Sequence, residues 1–99
     1  MPRFRKLSDT VDYLQQVMSV KGNQYGPTYR KVALALSCPV QHSISVRMLE
    51  KLLRIDNLLK LPAVDMAHIR EEFLDIAVYA CLGAFESEPE YKPEVEISK

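Results

Sequence analysis

Long apolar runs are missing from this chain: none reaches the ~20 residues that a membrane-spanning helix needs. The start, Met1-Pro2-Arg3-Phe4-Arg5-Lys6, is basic, but no apolar signal core follows it. Only two cysteines are present, Cys38 and Cys81, both in apolar surroundings and without metal-ligand spacing. They read as reduced, buried thiols of a cytoplasmic protein. With three glycines there is no Gly-rich phosphate loop, and neither CxxC nor GxSxG occurs. Dithiol redox chemistry, P-loop binding and the nucleophile elbow are thereby excluded. No segment alternates with period two for long enough to suggest a strand, and there is no internal repeat.

Neither sign of charge is in excess, with 13 Lys/Arg against 13 Asp/Glu, but the distribution is uneven. Residues 1–85 carry 11 basic and 8 acidic side chains, and residues 86–99 carry 2 basic and 5 acidic. A mildly basic body with an acidic tail is not the footprint of a duplex DNA binder. It suits a small anionic ligand.

What the chain does have is helical periodicity. A first helix is expected from Ser8 or Asp9, either of which can serve as N-cap, to Gly22-Asn23. The loop 22–26 follows, and Pro27 suits the first position of a second helix ending near Leu36. A third helix is expected over residues 43–60, with Ile44, Met48, Leu52, Ile55 and Leu59 apolar and Arg47, Lys51 and Arg54 on a separate face. Leu61-Pro62 stops it. Asp65 can cap a fourth helix reaching Phe85. The fold class is therefore all-α: a small four-helix bundle with a long antiparallel pair, spanning residues 1–86. Residues 87–99, rich in Pro and Glu, form a flexible acidic tail. The fourth helix is apolar on nearly every side, through Phe73, Leu74, Ile76 and Val78. Burying it takes more than one thin layer of partners, so a homodimer or higher homo-oligomer is expected.

Four polar residues interrupt that apolar helix: His68, Glu72, Asp75 and Tyr79, spaced 4, 3 and 4 apart. At about 100° per residue they cluster within roughly 60°, and Gly83 continues the line. A buried carboxylate left unpaired costs several kcal/mol, so Glu72 and Asp75 need cations, a metal or a wet pocket. Their E-x-x-D spacing lets them share a divalent ion, or pair with Arg54, Lys51 or Arg70. The basic stripe Arg47, Lys51 and Arg54 can grip phosphate or be a solvated helix face. The segment 21–31 offers a third cluster: Lys21, Gly26, Arg30 and Lys31, with Tyr25 and Tyr29 able to stack on a ring or to cover the core. His68 is expected half-exposed, and His42 is uninformative.

The pattern Gln24-Tyr25-Gly26, then Lys51-x-x-Arg54-Ile55, then Glu72-x-x-Asp75-Ile76-Ala77-x-Tyr79-Ala80 resembles small phage-type members of the all-α, MazG-like nucleotide pyrophosphohydrolase superfamily. The resemblance covers roughly residues 14–85. It implies a magnesium site built from E-E-x-x-E on one helix and E-x-x-D on the next. Only the second half stands here, as Glu72 and Asp75. Where the first half belongs, Met48-Leu49-Glu50-Lys51-Leu52-Leu53-Arg54 offers the single acid Glu50, and two carboxylates hold a phosphate-bound magnesium poorly.

The expectation is thus a protein that binds a phosphorylated, nucleotide-type ligand without turnover and with no cofactor. Arg47, Lys51 and Arg54 would meet phosphates, and Tyr25 or Tyr29 the base. Glu72 and Asp75 would orient the cations or hydrogen-bond the ribose or base edge, with Lys21, Gly26, Arg30 and Tyr79 completing the pocket. The phage-type resemblance implies sequestration of a nucleotide signal in a bacterial host's cytoplasm, a counter-defence role. The alternatives are a magnesium-dependent pyrophosphohydrolase, with Glu72 and Asp75 as metal ligands completed by Glu50, Glu71 or another subunit, and a helical protein-interaction module. No duplex nucleic acid or membrane partner is expected.

Overall fold

The computed structural model describes residues 3–89, apart from the side chains of residues 22–27. It is an all-α bundle of α1 (Leu7–Leu36), α2 (Val40–Leu59) and α3 (Met66–Glu86). The two N-terminal helices expected from the sequence are both in place, but they are fused end to end. α1 runs for 30 residues straight through the expected loop at 22–26. Gly and Pro disfavour a helix interior, by about 1 and 3 kcal/mol respectively, yet such local preferences yield to packing. Here α1 is fastened to α3 on both sides of Pro27. Lys21 pairs with Asp75 on one side, and Arg30 with Glu86 and Tyr29 with Tyr79 on the other.

The caps explain where the helices begin and end. Lys6, not Ser8 or Asp9, is the N-cap of α1. Asp9 instead sits one turn in, and its Oδ2 accepts from the backbone N–H groups of Arg5 (2.9 Å) and Lys6 (3.2 Å). It thereby satisfies donors that a helix start leaves without partners. At the other end, Ser37 adopts the left-handed conformation (φ 53°, ψ 44°). The Cys38 N–H then reaches back to the Ala33 carbonyl at 3.0 Å, closing the helix in the manner usually served by glycine. Pro39 fixes the entry to α2, which starts at Val40, three residues before the expected Ser43. Asp65 caps α3 as expected, accepting from the His68 N–H at 3.2 Å.

α2 and α3 form the antiparallel pair. Gln41 bonds to the Glu86 carbonyl and Lys51 to Asp75, while Ile44 faces Gly83, so positions rise on α2 as they fall on α3. α1 runs parallel to α3, with Phe4 at Arg70, Lys21 at Asp75 and Arg30 at Glu86. The central core is Tyr29, Ile44 and Tyr79, flanked by Val40, Met48 and Leu82. Among the described residues no helix is long and apolar enough to cross a membrane.

Burial is incomplete. Phe73, Phe85 and Met66 of α3 are more than half exposed, contrary to the burial expected of that helix. Two neighbouring helices cannot enclose a helix that is apolar all round. For the same reason Cys81 is exposed rather than buried, while Cys38 is half-buried, and both are free thiols. The acidic tail expected from residue 87 lies, from residue 90 on, outside the described residues.

Candidate functional site

The acidic stripe of α3 meets the basic stripe of α2 because both lie on inward faces of the antiparallel pair. The Lys51 ammonium is the centre of the cluster. It lies 3.0 Å from Asp75 Oδ2 and 3.4 Å from Glu72 Oε2. From α1, Lys21 Nζ reaches Asp75 Oδ1 at 3.1 Å. Glu72 Oε1 faces His68 Nε2 at 3.4 Å and Arg54 at 3.9 Å. Three helices therefore contribute charge to one point, and three permanently basic side chains surround two carboxylates.

The parts differ in how deeply they sit. Glu72 is buried, at 6% exposure, and its Oε2 has no hydrogen bond within standard geometry, only the longer ion pair to Lys51. The Lys51 side chain is 13% exposed, whereas those of Lys21 and Arg54 are 37% and 55% exposed. Burial alone would raise the Asp75 pKa. Hydrogen bonds and charge from Lys51 and Lys21 outweigh it and hold the carboxyl below its ordinary value. For Lys51, burial works against the charged form, and Asp75 and Glu72 overcome it, so its pKa is raised.

One turn away on α2, Arg47 hydrogen-bonds to Tyr79, which raises its already high pKa, and its Nη1 lies 3.3 Å from Glu50 Oε1. Tyr29 and Tyr79 meet edge to face, with centroids 5.6 Å apart and planes at 82°. Tyr29 is buried at 8% and Tyr79 at 4%. Burial, then the hydrogen bond with Tyr79, pushes the Tyr29 phenol above its ordinary pKa. Of its two expected roles, Tyr29 takes the one of covering the core.

The cluster gathers Lys21, Lys51, Arg54, Glu72 and Asp75 from the expected residues, with Arg47 and Tyr79 adjoining. Arg30 lies elsewhere, with its Nε 2.7 Å from Glu86 Oε1 at the far end of α1. Tyr25 and Gly26 lie within residues 22–27, where only the backbone is described. Beside Lys21 and Asp75 is a cleft of about 120 Å³, lined also by Tyr13, Val17, Glu71 and Leu74. Tyr13 is not among the residues that the sequence singles out. Arg70, one candidate partner for the acids, lies 4.1 Å above the ring of Phe4.

Among the described residues, no group of three or more His, Cys, Asp and Glu is arranged to hold a metal. Both carboxylates of the E-x-x-D pair point at an ammonium, and Glu50 is turned to Arg47. This donor set does not fit a magnesium ion as it stands, since such an ion takes oxygen ligands and tolerates no cation between them. Comparison with protein-family models, curated proteins and solved structures finds no match.

Proposed function

We propose that this chain binds a small phosphorylated, nucleotide-type ligand without turning it over, and does so as a homo-oligomer. The observation that carries this reading is the Lys51-centred cluster. Its cations outnumber its carboxylates, and Lys21 and Arg54 stand at its exposed rim. A phosphate arriving there gains charge-assisted hydrogen bonds from Lys21, whose ion pair is partly exposed, and from Arg54, whose ion pair is long at 3.9 Å. Tyr13, beside Lys21 in the small cleft, offers a ring near the same edge. Retention without hydrolysis follows from Lys51, whose ammonium stands between the two carboxylates that a divalent ion would share. Such a protein would sequester its ligand rather than consume it.

The test is a thermal-shift and calorimetric panel of nucleoside mono-, di- and triphosphates and dinucleotides, run with magnesium and with a chelator. Binding is expected to survive the chelator and weaken with salt. Arg54→Ala is expected to lose about 1.5–3 kcal/mol of binding, the worth of a hydrogen bond to a charged group. Magnesium-dependent release of monophosphate and pyrophosphate, abolished by Glu72→Gln, would overturn the reading. So would a panel in which no compound shifts the melting temperature.

A further inference from the structure

α2 carries two apolar faces. Ile44, Met48 and Ile55 turn toward α1 and α3, and Ile44 and Ile55 are buried. Of Val46, Leu49, Leu52 and Leu53, the first two and Leu53 lie on the far side at 100° per residue, while Leu52 sits on the flank, about 60° from the inward face. Their exposures are 45%, 55%, 48% and 57%. A helix at the edge of a small bundle needs one apolar stripe, with polar residues on its other side. This second stripe exposes on the order of 350 Å², the scale of the largest apolar patch on a typical monomer. No other described element covers it.

We propose that a second copy of this chain covers this face, with its α2 antiparallel to the first. The pattern along the stripe is self-complementary. A two-fold axis midway between Leu49 and Leu53 sets Leu49 against the partner's Leu53, and Leu53 against the partner's Leu49. One edge of the stripe carries Glu50 and Arg54, opposite charges one turn apart. The same axis brings the partner's Arg54 to within about 3 Å of the level of Glu50 along the helix, at 1.5 Å per residue. In a parallel two-fold pairing this edge would lie beside the partner's opposite edge, and Glu50 would not meet Arg54. Glu50 and Arg54 are solvent-accessible in the single chain, with side chains 45% and 55% exposed, so both are placed to answer a partner. The surface rests on the self-association in the proposed function and not on its ligand. Because Arg54 also borders the Lys51 cluster, the second copy would close one side of that site.

Sedimentation equilibrium of the full chain tests this, with circular dichroism to confirm helix content. The expected result is a dimer, or a multiple of it, in the wild-type protein at about 100 µM. Leu49→Glu and Leu53→Glu should each raise the dissociation constant at least about tenfold, or about 1.4 kcal/mol, with helicity retained. Glu50→Lys and Arg54→Glu should each weaken association, and the double variant E50K/R54E should recover it. Recovery cannot be produced by unfolding, so the charge pair decides even if the leucine variants fold poorly. A wild-type monomer at that concentration overturns self-association altogether, including the case of a face covered by the chain's own tail. An oligomer indifferent to L49E, L53E and the charge exchange, or one dissociated only by Phe73→Glu, overturns this surface alone.

Discussion

Lys51 and Asp75, 24 residues apart in sequence, bring an ammonium and a carboxylate to 3.0 Å where α2 and α3 cross. The same ammonium also answers the more deeply buried Glu72. Removing one partner of a buried pair leaves the other uncompensated, which costs about 3–5 kcal/mol. Lys51→Met is therefore expected to destabilise the fold by about 3 kcal/mol, a drop of roughly 10 °C or more in Tm for a chain of this size. Adding Glu72→Gln to that variant should return part of the loss, as a double-mutant cycle would show. Measurements belong at one protein concentration, because association shifts apparent stability. Equal and additive losses would mean that the two side chains are not coupled.

The pH dependence follows from the same pair. The folded pKa of Asp75 lies below its unfolded value, so its contribution is complete above about pH 4 and is lost as pH falls through the folded value. The folded pKa of Lys51 lies above its unfolded value. Its contribution is present below about pH 10 and is lost as pH rises through the folded value. Denaturant titrations should show both losses in wild type. In Asp75→Asn the acid loss should shrink, and an unchanged acid limb would refute the assignment.

Ser37 is held at a positive φ that favours glycine. Left-handed geometry costs a residue with a Cβ about 1–2 kcal/mol, and part of this is offset by the greater freedom glycine has when unfolded. Ser37→Gly should stabilise the chain by roughly 0.5–1 kcal/mol in chemical denaturation. Destabilisation would show that the turn between α1 and α2 differs from the one described.

At Gly83, a Cβ would meet Ile44 Cγ2 at 3.7 Å, an ordinary contact. Gly83→Ala removes the helix-interior penalty of glycine and should add about 0.5–1 kcal/mol. A loss of that size or more would mean that α2 and α3 approach more closely than the structure has them.

The features legible in the sequence were those written in short-range spacing. Asp65 reads as a cap because its partner is three residues on. Glu72 and Asp75 read as facing the α2 cations because 3- and 4-residue spacings fix a face. The continuity of α1 was not legible. Gly22, Gly26 and Pro27 report local preference, while the contacts that fasten α1 to α3, such as Lys21 with Asp75 and Arg30 with Glu86, join residues more than 50 positions apart. The exposure of Cys81 was hidden for another reason. A helix apolar on nearly all sides has no polar face from which to read its phase. Burial of Tyr29 turned on one distant residue, Tyr79, that no spacing within its own segment announces.

The unbroken α1 also shapes how the molecule moves through water. Thirty residues at 1.5 Å each make a rod of about 45 Å, and the described residues span 51 × 28 × 20 Å. Their radius of gyration, 15.6 Å, exceeds the ~13 Å of a compact domain of 100 residues. An elongated particle has more friction than a sphere of equal mass. A single copy should leave a sizing column ahead of spherical standards of 11.3 kDa, mimicking a heavier species, whereas light scattering would report its true mass.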